Sequence, residues 1–284
     1  MPVFTNKATL SFQGGSIESN TVTGSIVQTL TVQKNALIDR YVEGSTLTYV
    51  ISLVNAGATP LEGLSITDDL GAYSSASGAL LYPLDYVDGS LAYYVDGVLQ
   101  ADPTVTTTQP LGIEGIRVPG GGDTILIYQT TVNAFASPAE DGTVVNTATV
   151  FGGSLAEPIT ASETVSSIDN PLLSITKSLS PTEIVGDGAL TYTFLLENRG
   201  NTPAVTTDDL VVSDLFDPIL TITAVTLNGT PLVEGTDYNY DPVTGSFATV
   251  PGVITLPAAT AVQNPDGSYT VTPGSATLTV SGSI

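Results

Sequence analysis

Three polar residues interrupt apolar strand faces in the first half of the chain, and their types could do covalent chemistry. Lys34, Asp68 and Asn146 each lie in a segment where apolar and polar residues alternate. Side chains alternate between the two faces of a β-strand, so all three are predicted to point into a core. An unpaired lysine or aspartate there would cost several kcal/mol. The three side chains are therefore expected to meet.

A lysine, an aspartate and an asparagine that meet in a core can form an isopeptide bond. Burial should lower the pKa of Lys34 toward the neutral, nucleophilic amine. Burial should also raise the pKa of Asp68, whose protonated form can polarise the Asn146 carboxamide. We predict a Lys34–Asn146 bond with Asp68 as the promoting acid. The alternative is a buried ion pair that does not react, or a lysine whose amine reaches the rim.

The same three residue types recur as Lys177, Asp214 and Asn6. Lys177 follows Lys34 by 143 residues, and Asp214 interrupts an apolar face in a later segment of the same half. Asn6 interrupts an apolar face at the N-terminus. We predict a second bond, between Lys177 and Asn6, with Asp214 as the promoting acid.

The elements that must position these residues are β-strands. Thr, Val, Ile and Tyr alternate with polar residues between turns rich in Gly and Pro. Asp96-Gly97 and Asn228-Gly229, each between alternating runs, predict two-residue hairpin turns. No long apolar stripe has the 3.6-residue period of a helix. The predicted fold class is all-β, with a β-sandwich architecture.

Two copies of one domain follow each other along the chain. Residues 47–49 and 55–57 recur as residues 190–192 and 198–200, at the same interval of 143. Copy one ends in a predicted strand at 143–150, which copy two lacks. The sequence therefore predicts one complete sandwich and one that is missing its last strand.

The missing strand has a counterpart at the other end of the chain. Residues 3–10 resemble residues 143–150, with Asn6 at the position of Asn146. The following Gly14–Ile17 resembles Gly152–Leu155, which begins the connection between the copies. The predicted parts are a donor strand and linker (1–27), a complete sandwich (28–152), a linker (153–170) and a sandwich without its last strand (171–284).

A sandwich without its last strand exposes an apolar groove and a strand edge, which an added extended segment can complete. The predicted donor strand has these residues: Val3, Phe4, Asn6, Ala8, Leu10 and Phe12. Donation to a neighbouring copy gives a head-to-tail contact that need not close, and hence a filament. The alternative is an N-terminal strand that packs on the first domain, with copy two merely shortened.

Composition limits the remaining functions. The 284 residues include no Cys or His, so thiolate sites, disulfides and histidine chemistry are excluded, and we expect no metal and no cofactor. A net charge of −22 makes nucleic acid an unsuitable partner. No apolar stretch is long enough for a membrane helix, and no secretion signal is visible at the N-terminus. Residues 237–241 carry calcium-like oxygen spacing, but Pro242 replaces the required Gly and favours a hairpin turn.

The first copy resembles a known bacterial family. Lys34, Asn55-Ala56-Gly57, Ile66-Thr67-Asp68 and Val145–Val150 are similar to the conserved-repeat domain of bacterial surface proteins, the "domain of unknown function eleven". The acidic two-copy form resembles the ribbon-appendage proteins of clostridial spores. The resemblance implies Ig-like sandwiches with isopeptide chemistry and an extracellular or spore-surface location. Release by mother-cell lysis would then account for the missing signal. The second copy departs from the family, since it lacks the Asn-bearing final strand.

We therefore predict a structural subunit that assembles with copies of itself, head to tail, into an extracellular fibre or spore appendage. An anchoring protein on the spore or cell surface would be a further partner. The alternative is a monomeric surface adhesin or ligand-binding sandwich. Apart from autocatalytic bond formation, no group of residues indicates an enzyme.

Overall fold

The computed structural model describes residues 3–25, 28–75, 78–186 and 188–284. Their regular secondary structure is almost entirely β-strand, and the one helical element among them is a short 3-10 turn, η1 (Thr206–Asp208). None of the described residues belongs to a helix that is long and apolar enough to cross a membrane. The chain divides into two compact units, Met1–Ala136 with Thr143–Ser166, and Ser137–Gly142 with Ser167–Ile284.

The N-terminal segment forms a hairpin on its own. Its strands are β1 (Val3–Asn6), β2 (Thr9–Phe12), β3 (Gly15–Glu18) and β4 (Val22–Ser25). β1 pairs antiparallel with β4, and β2 pairs antiparallel with β3. The part after residue 12, predicted as a linker, therefore contains two strands. Ile17, Val22 and Thr23 give it the strand propensity that the prediction assigned only to the first part.

The first unit is a sandwich of two six-stranded sheets. Its strands are β5 (Leu30–Ala36), β6 (Arg40–Tyr41), β7 (Thr46–Asn55), β8 (Leu61–Asp68), β9 (Tyr73–Ser74), β10 (Leu80–Leu81), β11 (Leu84–Tyr86), β12 (Ala92–Val95), β13 (Val98–Leu99), β14 (Thr104–Thr108), β15 (Leu111–Val118), β16 (Asp123–Val132), β17 (Thr143–Gly152) and β18 (Ile159–Ser167). One sheet has the order β13-β12-β16-β7-β5, with β11 also on β16. The other has the order β14-β15-β8-β17-β18-β6.

Alternation along the strands builds the core of this unit. In β7, every second residue from Leu47 to Asn55 is buried, and the residues between them face outward or are partly covered. β17 and β8 show the same alternation over their paired stretch. Such a pattern places one row of side chains between the sheets.

The last strand of the first sandwich corrects one predicted boundary. Residues 153–170 are predicted to be a linker, but they contain β18, which pairs with β17 along Thr143–Val150. Val165 of β18 is fully buried in the core. Thr160, Ser162 and Thr164 alternate with less exposed residues, so they mark the outer face of a strand and not a solvent-exposed connection.

The second unit is built on the same plan with fewer strands. Its strands are β19 (Leu173–Ser180), β20 (Ala189–Asn198), β21 (Ser213–Leu215), β22 (Thr221–Leu227), β23 (Thr230–Pro231), β24 (Tyr238–Asp241), β25 (Ser246–Thr249), β26 (Thr260–Gln263), β27 (Tyr269–Thr272) and β28 (Gly274–Ser283). One sheet has the order β19-β20-β28-β22-β23, and the other β21-β25-β24. β26 and β27 form a separate hairpin.

Strand register confirms that the two units are repeats. Thr124 pairs with Leu53 in the first unit, and Ala276 pairs with Leu196 in the second. Leu53 and Leu196 are 143 residues apart, as the sequence repeat requires. The predicted all-β class, with two tandem Ig-like sandwiches, is confirmed.

Two buried asparagines explain why the motifs at 55–57 and 198–200 recur. Asn55 Nδ2 donates to the carbonyl oxygens of Thr59 and Pro119, at 2.8 and 3.1 Å. Asn198 Nδ2 donates to the corresponding carbonyl oxygens of Thr202 and Pro257, at 2.8 and 3.0 Å. Each asparagine therefore fastens the loop that follows its strand.

Both predicted hairpin turns are confirmed. Asp96 and Gly97 connect β12 to β13 with φ values of 48° and 74°. Asn228 and Gly229 connect β22 to β23 with φ values of 50° and 80°. Positive φ at both central residues is the geometry that matches the twist of paired strands.

Candidate functional site

The first site lies between the two sheets of the first sandwich. Lys34 extends from β5 and Asp68 ends β8, and these strands belong to different sheets. Lys34 Nζ is 2.5 Å from Asp68 Oδ2, and both side chains are fully buried. The structure thus brings two of the three predicted residues into direct contact.

A tyrosine completes the surroundings of the carboxylate. The Tyr128 hydroxyl donates to Asp68 Oδ2 at 2.5 Å. Tyr128 lies opposite Tyr49 in the β16–β7 pair, and their rings stack with centroids 5.7 Å apart. Lys34 Nζ lies 4.9 Å from the centre of the Tyr49 ring, which adds a cation–π contact. Sequence reasoning missed both tyrosines as site residues, although strand alternation could have placed them on the core face.

The environment favours the uncharged lysine. Burial lowers the pKa of Lys34 from its ordinary value, and the charge of Asp68 opposes this only in part. Burial, followed by the charge of Asp68, raises the pKa of Tyr128 well above its ordinary range. Burial likewise raises the pKa of Tyr49. Tyr128 therefore remains a proton donor to the carboxylate at neutral pH.

Asn146, the third predicted residue, is also buried in the core of the first sandwich. It is fully buried, and neither its Oδ1 nor its Nδ2 makes a hydrogen bond of regular geometry. The Asn146 side chain lowers the pKa of both Tyr49 and Tyr128, although burial raises each of them by more. The carboxamide therefore lies beside the two tyrosine hydroxyl groups. A buried, unsatisfied amide costs about 1–3 kcal/mol per polar group.

The strand that carries Asn146 is fixed by the residue after Asp68. Asp69 Oδ1 accepts a hydrogen bond from the Thr147 amide at 2.8 Å, and the Asp69 amide donates to the Thr147 carbonyl at 2.9 Å. Ala148 is then the partner of Asp68 in the β17–β8 register. Cα atoms of β17 and β5 approach within 8 Å across the sandwich. Lys34, Asp68 and Asn146 are thus held by three neighbouring strands.

The second site repeats the ion pair in a more open setting. Lys177 Nζ contacts Asp214 Oδ2, and the two side chains are 41% and 17% exposed. The amine lies 4.4 Å from the ring centre of Tyr192 and 5.6 Å from that of Phe216. Val280 occupies the position of Tyr128, because it pairs with Tyr192 as Tyr128 pairs with Tyr49. Asp214 Oδ2 accordingly makes no hydrogen bond of regular geometry besides the ion pair.

Within the described residues, the second sandwich has no counterparts of β17 and β18. β21 pairs with β25 on one side only, whereas β8 pairs with both β15 and β17. Leu173 is 47% exposed, and its counterpart Leu30 is 3% exposed. The consequence is a groove of about 190 Å³ lined mainly by apolar side chains: Leu173, Ile175, Leu196, Leu210, Val212 and Leu256.

The predicted donor residues lie in the exposed N-terminal hairpin. Asn6 is in β1, opposite Val22 of β4. The other residues predicted for the donor strand are also exposed: Val3, Phe4, Ala8, Leu10 and Phe12. β1 and β2 each pair on one side only within the described chain, so each has an unpaired edge.

The calcium-like segment is a turn, as the sequence favours. Asp241 Oδ1 accepts a hydrogen bond from the Val243 amide at 2.9 Å, and its Oδ2 accepts one from the Thr244 hydroxyl at 2.7 Å. Gly245, the residue before β25, adopts a φ of 78°. These contacts use the carboxylate to close the β24–β25 hairpin. No cluster of three or more acidic residues suited to a metal ion occurs among the described residues.

Comparisons with known proteins give fold neighbours only. No protein-family model and no curated protein sequence matches the chain. The major pilin subunit BcpA of Bacillus cereus is similar over 96% of this chain and 73% of its own, at 12% identity and a TM-score of 0.36. The pilus backbone protein RrgB of Streptococcus pneumoniae is similar over 90% of this chain and 50% of its own, at 12% identity and a TM-score of 0.33.

A family 123 glycoside hydrolase from Clostridium perfringens also matches, over 50% of this chain and 28% of its own, at 10% identity and a TM-score of 0.32. The chain thus spans less than a third of that hydrolase. Bacterial pilin domains are among the solved structures that this chain resembles, and the similarity is too low to carry function.

Proposed function

We propose that the protein is the subunit of a fibre in which each chain donates its N-terminal segment to the second sandwich of the next. One observation carries this proposal. In the part of the chain that the structure describes, the second sandwich has no counterpart of a strand that the first one has, while a segment of matching sequence lies exposed near the N-terminus of the same chain. Donor and acceptor are different surfaces, so the contact is heterologous and each added subunit leaves a new acceptor.

The first sandwich supplies the register for the donated strand. There, Val150 lies opposite Ile66, and Gly152 lies opposite Leu64. The sequence matches place Leu10 at the position of Val150, and Val212 at that of Ile66. In the assembled state Leu10 would therefore pair with Val212.

The same register places the next donor residue over the groove. The strand match ends at Leu10, and Phe12 continues the strand by two residues on the same face. Leu210 corresponds to Leu64, so Phe12 would lie opposite Leu210, which lines the groove. Phe12 would thus bring a large apolar side chain to the groove.

Burial of apolar surface gives this contact its driving force. Leu10 and Phe12 are 63% and 58% exposed in the hairpin, and Ile175 is 56% exposed at the groove. Covering each such side chain contributes about 1.5–3 kcal/mol. The free edge of β21 would gain main-chain hydrogen bonds at the same time.

The register would also bring Asn6 to the Lys177–Asp214 pair, as Asn146 is brought to the first site. We propose that an amide bond forms at each place, Lys34–Asn146 within a chain and Lys177–Asn6 between chains. A proton passes from the ammonium to the carboxylate, and the neutral Nζ attacks the asparagine Cγ. The Nζ–Cγ bond forms, the aspartic acid gives its proton to Nδ2, the Cγ–Nδ2 bond breaks and ammonia leaves, while the proton that Nζ loses on becoming an amide passes back to the carboxylate.

This chemistry turns over once per site, so we propose no enzymatic activity on an external substrate. The resemblance to surface-protein repeats leads us to propose that the fibre lies outside the cell or on the spore surface. The same proposal includes that the fibre is a spore appendage and that a protein on the spore or cell surface anchors it.

The test compares four forms of the full-length protein by electron microscopy and by SDS gels of boiled samples. Wild type should form filaments and a ladder of covalent multimers. Leu10→Asp should prevent filaments, whereas Ser11→Asp should not, because alternation places Ser11 on the opposite face of β2. Asn6→Ala should form filaments that dissociate to monomers on the gel.

Each outcome separates the parts of the proposal. Filaments from Leu10→Asp equal to those of wild type would exclude donation of this strand. Monomers from boiled wild-type filaments would retain strand donation and exclude the Lys177–Asn6 bond. A wild type that stays monomeric would favour the alternative of a surface-binding sandwich.

A further inference from the structure

The N-terminal segment pairs with itself in the way that the last two strands of the first sandwich do. Val144 of β17 lies opposite Val165 of β18. At the matching place in the hairpin, Phe4 of β1 lies opposite Gly24 of β4. The hairpin therefore resembles the whole β17–β18 pair and not β17 alone.

The side chains at this place are complementary in size. Val144 and Val165 are both buried in the first sandwich. In the hairpin the Phe4 ring covers Gly24, where an added Cβ would lie only 2.4 Å from the ring's Cζ. One large side chain over a glycine thus takes the place of two valines, which keeps the volume presented to a core nearly constant.

The second sandwich also lacks the partner that β18 has in the first. β18 lies between β17 and β6 (Arg40–Tyr41) in its sheet. The repeat interval places the counterpart of β6 at Glu183–Ile184, which is not in a strand. Val185, the next residue, is 94% exposed. Among the described residues, Glu183 and Ile184 therefore take part in no strand pairing.

We propose that the donated unit is the complete hairpin, residues 3–25, with β4 of one copy taking the place of β18 in the second sandwich of the next copy. This inference rests on the proposed function and names a larger donor. A hairpin that is already paired loses less conformational freedom on binding than a single extended strand, which favours association.

The inner face of the second hairpin strand can be identified by register. Ile17 lies opposite Leu10, and Val22 lies opposite Asn6, so both share the face of the donor residues. They are 58% and 56% exposed in the free chain. Thr23 lies opposite Thr5 and faces the other way. Donation of the hairpin buries Ile17 and Val22, whereas donation of a single strand leaves them in solvent.

The test uses full-length protein and measures the lowest concentration at which filaments form. Ile17→Asp and Val22→Asp should each raise this concentration by at least about tenfold, which corresponds to about 1.4 kcal/mol. The matched control Thr23→Asp should leave it within about twofold, since surface changes away from a contact have small effects.

A second pair of variants tests the packing of Phe4 on Gly24. Gly24→Val should prevent assembly, because the new side chain displaces the Phe4 ring. The double variant Phe4→Val/Gly24→Val copies the valine pair of the first sandwich and should restore filaments.

Hairpin donation would be overturned if Ile17→Asp, Val22→Asp and Gly24→Val all formed filaments as wild type does while Leu10→Asp formed none. Single-strand donation would then stand. Absence of filaments from wild type would overturn both.

Discussion

Lys34 and Asp68 form an ion pair with an Nζ–Oδ2 distance of 2.5 Å in which both side chains are fully buried. Their counterparts Lys177 and Asp214 make the same contact at an open edge. A buried ion pair gains little net stability, because desolvation offsets the attraction between the charges. Its repetition in two sandwiches supports the proposal of a reaction for which both groups are needed.

The first prediction concerns the mass of the monomer. If Lys34 and Asn146 are joined, the unfolded wild-type chain should be lighter than its sequence mass by one ammonia molecule, about 17 Da. Lys34→Ala, Asn146→Ala and Asp68→Ala should each have the full mass expected from their sequences. Lys177→Ala is the matched control and should keep the deficit. A full-mass wild type, measured by intact-protein mass spectrometry, would exclude the bond.

Tyr128 should control the rate of this reaction. Its hydroxyl donates to Asp68 Oδ2 at 2.5 Å, and Val280 takes its place in the second sandwich. Tyr128→Phe removes a hydrogen bond to a charged group, worth about 1.5–3 kcal/mol. This hydrogen bond stabilises the ionised carboxylate, which must take up the lysine proton, so we expect the variant to fold and to lose ammonia faster, as followed by mass against time after refolding. Rates equal to those of wild type would show that the hydroxyl has no part in the reaction.

Removal of the lysine should destabilise the unreacted core. Lys34→Met and Asn146→Ala both lack the bond, but only Lys34→Met leaves Asp68 buried without its cation. We expect Lys34→Met to have a free energy of unfolding lower by about 3–5 kcal/mol than Asn146→Ala. Lys34→Met/Asp68→Asn should recover part of this loss. Lys177→Met should cost much less, because Lys177 is 41% exposed and solvent screens its charge.

Much of this arrangement could be predicted from sequence. Strand alternation placed Lys34, Asp68 and Asn146 in one core, and the interval of 143 residues located the second ion pair. The tyrosines were missed because a tyrosine on an apolar face looks like ordinary core, and only the fold shows that its hydroxyl reaches Asp68.

The second strand of the hairpin was missed for a different physical reason. Its pairing depends on contacts between distant residues, such as Phe4 with Gly24, which local propensity does not record. The same holds for β18, whose polar residues suggest a linker until Val165 is seen in the core.

The stability of Asn146→Ala should depend on pH through Lys34. Burial lowers the folded-state pKa of Lys34 below its ordinary 10.5, so above that lowered pKa the unfolded chain binds more protons than the folded one. Stability therefore rises with pH from the lowered pKa toward 10.5.

Tyr128 acts in the opposite direction at higher pH. Its pKa is raised from 10.0, so the unfolded chain loses that proton first and stability falls above about pH 10. Urea unfolding of Asn146→Ala at a series of pH values up to about 10 should show the rise. Asn146→Ala/Lys34→Met lacks the titrating amine and should show a flatter curve. Curves of stability against pH with equal slopes for the two variants would contradict the assignment of the rise to Lys34.

Assembly should change hydrogen exchange at one edge of the second sandwich. In the free chain β21 pairs on one side only, and Leu173 of β19 is 47% exposed, so amides at residues 210–215 should exchange quickly. The paired strand β8 in the first sandwich should be protected. In filaments, protection at 210–215 should rise toward that of 64–68, because a donated strand supplies the missing hydrogen-bond partners. The control variant Leu10→Asp should keep the fast exchange at residues 210–215 under the same conditions. Wild-type filaments in which these amides remain unprotected would show that the subunits join elsewhere.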